Sequence, residues 1–167
     1  MISCILWLLL MLLFLSCLTQ SSGQQSYFET YRYASSGYST GSLFVQMKPN
    51  DIATFDDRSS IITGYYSNQM IFGTLSALQS NGGVFSYDIF IAKIDSNGNW
   101  IWSKSAGGTG NDYAKSIATL SDGSSVITGY YSSSNLQFGS LSALTNSNSG
   151  SSDIFIAKID SNGNWIW

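Results

Sequence analysis

Residues 88–102 read DIFIAKIDSNGNWIW, and residues 153–167 repeat that string letter for letter. Side chains alternate across a strand, so in the second copy Phe155 and Ala157 lie on one face and Ile154 and Ile156 on the other. A strand that is apolar on both faces has to be covered on both. Asn97-Gly98 and Asn162-Gly163 follow, and they predict a type I′ hairpin, which needs positive φ at both central positions. Trp100-Ile101-Trp102 and Trp165-Ile166-Trp167 then open a returning strand, with Trp100 and Trp102 expected on one face.

The likeness extends outward from this string. SIATLSDGSSVITGYYSSSNLQFGSLSAL at 116–144 answers NDIATFDDRSSIITGYYSNQMIFGTLSAL at 50–78. Asp88 maps to Asp153 and Ile62 to Ile127, both 65 positions on. The length differences fall in loops, as they do in repeat architectures. One unit reads as four β segments without a helix, at 116–120, 126–131, 153–160 and from Trp165. The intervening stretch 67–87 carries Phe72, Leu75 and Leu78, matched by Phe138, Leu141 and Leu144, and is expected to pack over the sheet edge. Four antiparallel strands with two apolar faces predict an all-β fold of β-propeller blades, in repeats of about 65 residues, with the propeller incomplete. A flat two-sheet sandwich is the competing architecture, but it has no need of a fixed period.

Residues 1–23 are expected to be a signal peptide. The apolar run from Ile5 to Leu15 is shorter than a bilayer-spanning helix, and small residues lead to Gly23. No Lys or Arg precedes Arg32, so a retained anchor stays open, as does a lipid-modified Cys17. Both cysteines, Cys4 and Cys17, lie in this leader, which leaves the rest without a disulfide although its expected location is secreted or cell-surface. Residues 24–49 read as an N-terminal strand segment, the tail of a preceding blade. Repeat 1 spans 50–115, and repeat 2 spans 116–167 and is truncated. The expectation is therefore a fragment of a longer array, the alternative being several chains that assemble one ring.

Seven basic and ten acidic residues give a net charge of −3, and the cations are scattered, which argues against nucleic acid as a partner. There is no His, and Glu29 is the sole Glu, so the usual catalytic triads are excluded. The Asp residues recur once per unit, as structural residues do. Asp95-Ser96-Asn97-Gly98-Asn99 invites a calcium reading, but an EF-hand loop needs Gly and Glu where Trp100 and Ala106 stand. A calcium site of another type, on Asp95 or Asp112, is the residual option. Gly107-Gly108-Thr109-Gly110 lacks the Lys-Ser/Thr and the helix of a phosphate loop, and reads as a strand break between units. The tryptophans suit packing between blades better than a sugar platform. Of the pairs Tyr65-Tyr66 and Tyr130-Tyr131, one ring of each is expected in the core and the other available for contacts.

In the order GGTGNDY, SIATLSDGSSVITGYY, FGSLSAL, DIFIAKID, SNGNWIW, the chain resembles the SBBP-type seven-bladed β-propeller repeat family. The matching positions are Gly107, Gly108, Gly110, Asp112, Ile127, Thr128, Gly129, Phe155, Ala157, Lys158, Gly163 and Trp165, and they recur in the earlier copy at Ile62, Thr63, Gly64, Phe90, Ala92, Lys93, Gly98 and Trp100. The resemblance implies an extracellular repeat protein and hands over no catalytic, cofactor-binding or metal-binding residue. The expected role is a non-enzymatic binding or scaffold module for protein or carbohydrate, completed by further blades or by self-association. The alternative is part of a propeller enzyme such as a glycoside hydrolase.

Overall fold

The computed structural model of the chain describes residues 46–148 and 150–167, so the expected leader at 1–23 and residues 24–45 after it lie outside the described residues. The strands are β1 (Met47–Thr54), β2 (Ser60–Tyr66), β3 (Gln69–Met70), β4 (Leu78–Gln79), β5 (Asp88–Ile94), β6 (Trp100–Gly107), β7 (Asp112–Thr119), β8 (Ser125–Tyr131), β9 (Asn135–Phe138), β10 (Leu144–Thr145) and β11 (Asp153–Ile159). A single 3₁₀ turn, Gly83–Phe85, is the only helical element among the described residues. The described chain is all-β and antiparallel.

β1, β2, β5 and β6 form a meander in which Ile52 faces Ile62, Ile62 faces Ala92 and Ala92 faces Ser103. β7, β8 and β11 reproduce its first three strands one period later, with Ile117 opposite Ile127 and Ile127 opposite Ala157. A bridge between Ile159 and Trp165 starts the fourth. β1 and β7 each carry a bulge at the same place, beside Asn50 and Lys115. The Gly of each Ile-Thr-Gly lies across from that bulge. A Cβ at Gly64 would sit 2.0 Å from the Lys48 carbonyl oxygen, and one at Gly129 would sit 1.9 Å from that of Tyr113.

Two local expectations are corrected. The hairpin at 95–99 is not type I′, because Gly98 has φ +85° while Asn97 is not among the positive-φ residues. Gly98 N–H donates to the Asp95 carbonyl at 3.1 Å, and Asp95 N–H donates to the Asn99 carbonyl at 2.9 Å. Asp95 Oδ1 accepts from the N–H groups of Asn97 at 2.9 Å and Asn99 at 2.8 Å. That pattern is a type I turn followed by a left-handed glycine, favoured here because the carboxylate satisfies two turn N–H groups. Residues 160–164 repeat it. Trp100 and Trp102 also do not share a face. The register slips between Lys93 and Ile94, so Trp100 stands opposite Ile94 and Trp102 opposite Lys93. The extra residue of a bulge reverses the alternation. Trp100 packs edge-on against Phe72, 4.7 Å between ring centres, and Trp102 joins the core on the opposite side.

The two meanders stack face to face. Ile61, Ile89 and Ile91 of the first meet Ile117, Ile127, Phe155, Ala157 and Ile159 of the second in one buried cluster. Polar bonds link the first strands: Asp51 Oδ2 accepts from the Ser116 hydroxyl at 2.7 Å and Ile117 N–H at 2.9 Å, and the Asn50 amide donates to the Ala114 carbonyl at 2.6 Å. At the far side Trp102 Nε1–H donates to the Ser161 carbonyl at 3.0 Å. The stretch 67–87, expected over the sheet edge, carries a short hairpin that packs on the sheet's face. β3 and β4 lay Met70, Phe72 and Leu78 over Phe90 and Ala92 of their own sheet. Its counterpart, β9–β10, also pairs with β6 through Ala106–Phe138 and Gly107–Gln137, tying the second unit to the outer strand of the first.

Identical residues therefore differ in burial. Ile89 and Ile91 are 0 % exposed, whereas Ile154 and Ile156, in the same heptapeptide, are 82 % and 59 % exposed. Removing the Ile91 side chain leaves a cavity between the sheets, so Ile91→Ala is expected to cost about 2–5 kcal/mol. In the monomeric chain at high dilution, Ile156→Ala should stay within about 0.5 kcal/mol of the parent. Urea denaturation of the two variants checks the contrast.

Candidate functional site

At one end of the stacked sheets the chain gathers tyrosines from both units. Tyr65, next to last in β2, lies on the face turned towards the second sheet, and its ring meets Tyr87 edge-on at 5.1 Å and Tyr113 at 4.8 Å. Tyr113 touches Tyr87 at 5.7 Å and Tyr130 at 5.0 Å, so four half-buried rings form a continuous strip across the inter-sheet seam. Lys115, on the β7 bulge, holds Nζ 4.9 Å from the Tyr130 ring centre and 5.5 Å from that of Tyr113. Such a cation over a π face is worth about 0.5–1 kcal/mol at an exposed site. Tyr87 O–H donates to the Gln46 amide oxygen at 2.7 Å. Burial pushes the Tyr113 hydroxyl up from its ordinary value, and the neighbouring tyrosines add to the shift.

Of the candidate residues Tyr65, Tyr66, Tyr130 and Tyr131, one ring of each pair being expected to face outward, Tyr65 and Tyr130 lie on this strip. Tyr66 and Tyr131 do not, because strand alternation turns them into the apolar clusters and both are buried. The rings gathered at this end are thus Tyr65 and Tyr130, joined by Tyr87 and Tyr113. Those two were missed because they sit at the starts of β5 and β7, strands of different sheets. Only the stacking of the sheets brings them together.

Beneath the strip lie two buried carboxylates. Asp112 is well provided with donors: Gly108 N–H at 2.9 Å and the Ser133 hydroxyl at 2.6 Å on Oδ2, and Ser133 N–H at 3.2 Å on Oδ1. Asp88 Oδ2 accepts from Asn81 N–H at 2.9 Å, while its Oδ1 is buried without a hydrogen-bond partner. Burial pushes Asp88 up to about 7; the Asn81 N–H opposes this and the charge of Asp112 adds to it. Burial also raises Asp112, against the pull of its Ser133 and Gly108 donors.

The run Gly107-Gly108-Thr109-Gly110 passes between these carboxylates. A Cβ at Gly107 would lie 2.2 Å from the Asp88 carboxyl carbon, and one at Gly108 would lie 2.3 Å from the Asn135 carbonyl oxygen. Its glycines are there because the crossing between sheets is crowded. Asp95, the other calcium candidate, spends its carboxylate on its own turn; the Asn99 amide and the turn N–H groups hold it below the usual range. Among the described residues no three His, Cys, Asp or Glu converge.

At the opposite end, the turns leave a groove of about 420 Å³ between the units, lined by Phe55, Asp57, Lys93, Leu120 and Ser161 among others. Lys93 is mostly buried there, with Nζ 4.4 Å from the Phe55 ring centre. Its counterpart Lys158, on the open face, instead pairs with Asp122 at 3.2 Å.

Asp88 binds its proton more tightly folded than unfolded, so between about pH 4 and 7 the native state holds more protons. Its contribution is fully present below the unfolded value and is lost as pH rises through about 7, a change of order 2–4 kcal/mol. Asp51, Asp57, Asp122 and Asp160 are depressed and work in the other direction, at lower pH. The melting temperature should therefore fall from pH 4.5 to 7.5, and Asp88→Asn should flatten that slope and be the more stable variant at the upper end. A parent slope that rises over this window would contradict the assignment. Compared with protein-family models and with curated protein sequences, the chain matches none.

Proposed function

We propose that this chain is a secreted or cell-surface β-propeller repeat module that works as a non-enzymatic binding or scaffold unit, with the tyrosine strip as its contact surface. One observation carries the propeller reading. The first strands of the two units meet at equivalent positions one period apart, Asp51 at Ser116 and Thr54 at Thr119. Neighbouring blades are related by one rotation, which brings matching residues of their inner strands together. The two faces of a sandwich have no such relation. The resemblance of the motifs to the seven-bladed repeat family agrees with this reading.

The chemistry of the strip suits a carbohydrate or a polar protein surface. Half-buried tyrosines offer apolar ring faces beside hydroxyls, and their rigidity keeps the entropic cost of contact low. The carboxylates with raised proton affinity, Asp88 and Asp112, are buried under the glycine crossing and do not line the groove. Their shifts have a packing cause.

A glycan and extracellular-protein array probed with the full chain tests the assignment. Tyr65→Ala combined with Tyr130→Ala is expected to weaken binding at least about tenfold, a loss of roughly 1.4 kcal/mol. Binding untouched by that pair would remove the strip from the proposal. Glycan hydrolysis abolished by one Asp substitution would favour the glycoside hydrolase reading instead.

A further inference from the structure

We propose that the chain associates head to tail with a second copy of itself, the open face of β8 and β11 docking on the open face of β1 and β2 of its neighbour. The inference rests on the stacked-repeat reading above and adds to it the occupant of the free face.

Both halves of this contact already exist inside one chain. Ile89 and Ile91 are sealed because the face carrying Ile117, Ile127, Phe155 and Ala157 lies on them. Their counterparts Ile154 and Ile156 have no such cover, and Val126, one period after Ile61, stands beside them half-exposed. On the other side, Ile117 is 6 % exposed under the first sheet, while Ile52, its equivalent, is 62 % exposed. The face that would cover Ile154 is the face that Ile52 leaves open. These faces are the repeat counterparts of the two sides of the internal interface, so each copy offers a donor and a receptor surface of matching pattern.

Two large isoleucines on one open face, with a third on the complementary face, form an apolar area of the kind that marks an interaction site. The contact is heterologous, since different surfaces meet, so it either closes into a ring or grows without limit. Two sheets per copy, against about four to eight blades in known propellers, give closure at about two to four copies. A closed oligomer leaves no Ile154 face in water, which is the state the apolar burial favours.

The test uses the full chain with Cys4→Ser and Cys17→Ser, bearing either Ile52→Cys or Ile156→Cys. Light scattering of the parent chain should give two to four times the protomer mass, and Ile156→Asp should return it to one, with an unchanged circular dichroism spectrum. Oxidation should yield a covalent dimer only when the two cysteine variants are mixed. A cross-link formed by Ile156→Cys alone would overturn the head-to-tail geometry. A parent chain that stays monomeric when concentrated would overturn the association itself. If the monomer still shows a large cost for Ile91→Ala and none for Ile156→Ala, the stacked-repeat reading survives that failure. Equal costs at the two positions in that monomer would overturn both.

Discussion

The contact between the two sheets, with Ile89 and Ile91 of β5 lying under Ile117, Ile127, Phe155 and Ala157, is what the rest of the molecule is arranged around. β5 is apolar on both faces: Phe90 and Ala92 are buried on one side by the β3–β4 hairpin, and the isoleucines on the other by the second unit. Burying a large aliphatic side chain stabilises by roughly 1.5–3 kcal/mol, while whole domains are stable by about 5–15 kcal/mol. A strand of this type is therefore stable only inside a stack. Each unit solves half of the problem with its own hairpin and leaves the other half to a neighbour.

The polar groups at that interface decide alignment more than they add stability. Exposed hydrogen bonds contribute modestly, about 0.5–1.5 kcal/mol each. Yet across the seam Asp51 meets Ser116 and Ile117 N–H, and Asn50, thrown out by the β1 bulge, meets the Ala114 carbonyl. An apolar face alone would tolerate sliding. The bulge and the carboxylate hold the first strands one period apart, and the Trp102–Ser161 bond ties the sheets on the far side. The glycine crossing serves the same geometry: it lets the chain leave β6, pass between two buried carboxylates and begin β7 without a side chain in the way.

The tyrosine strip is a consequence of that alignment. Tyr65 and Tyr130 are one period apart in the sequence and are not in direct ring contact. Tyr113 joins them because the inner strand of the second unit lies beside β2. The strip is assembled across the seam between units whose strands 88–94 and 153–159 are identical.

Much was legible in the residues themselves. Strand positions, the all-β class, the period and the two-sided apolar strands all follow from local alternation and self-similarity, which neighbouring residues in the chain determine. So does the division of each tyrosine pair into a core ring and an outward ring. The tertiary structure decided what depends on partners distant in sequence. Asp95 selected a type I turn over the mirror-image turn that Asn-Gly suggests, and a bulge sent Trp100 and Trp102 to opposite faces. β9 found the outer strand of the other unit, and two copies of DIFIAKI were given opposite fates. Burial is a property of what lies across the gap, and two identical strings cannot encode a difference that only their neighbours supply.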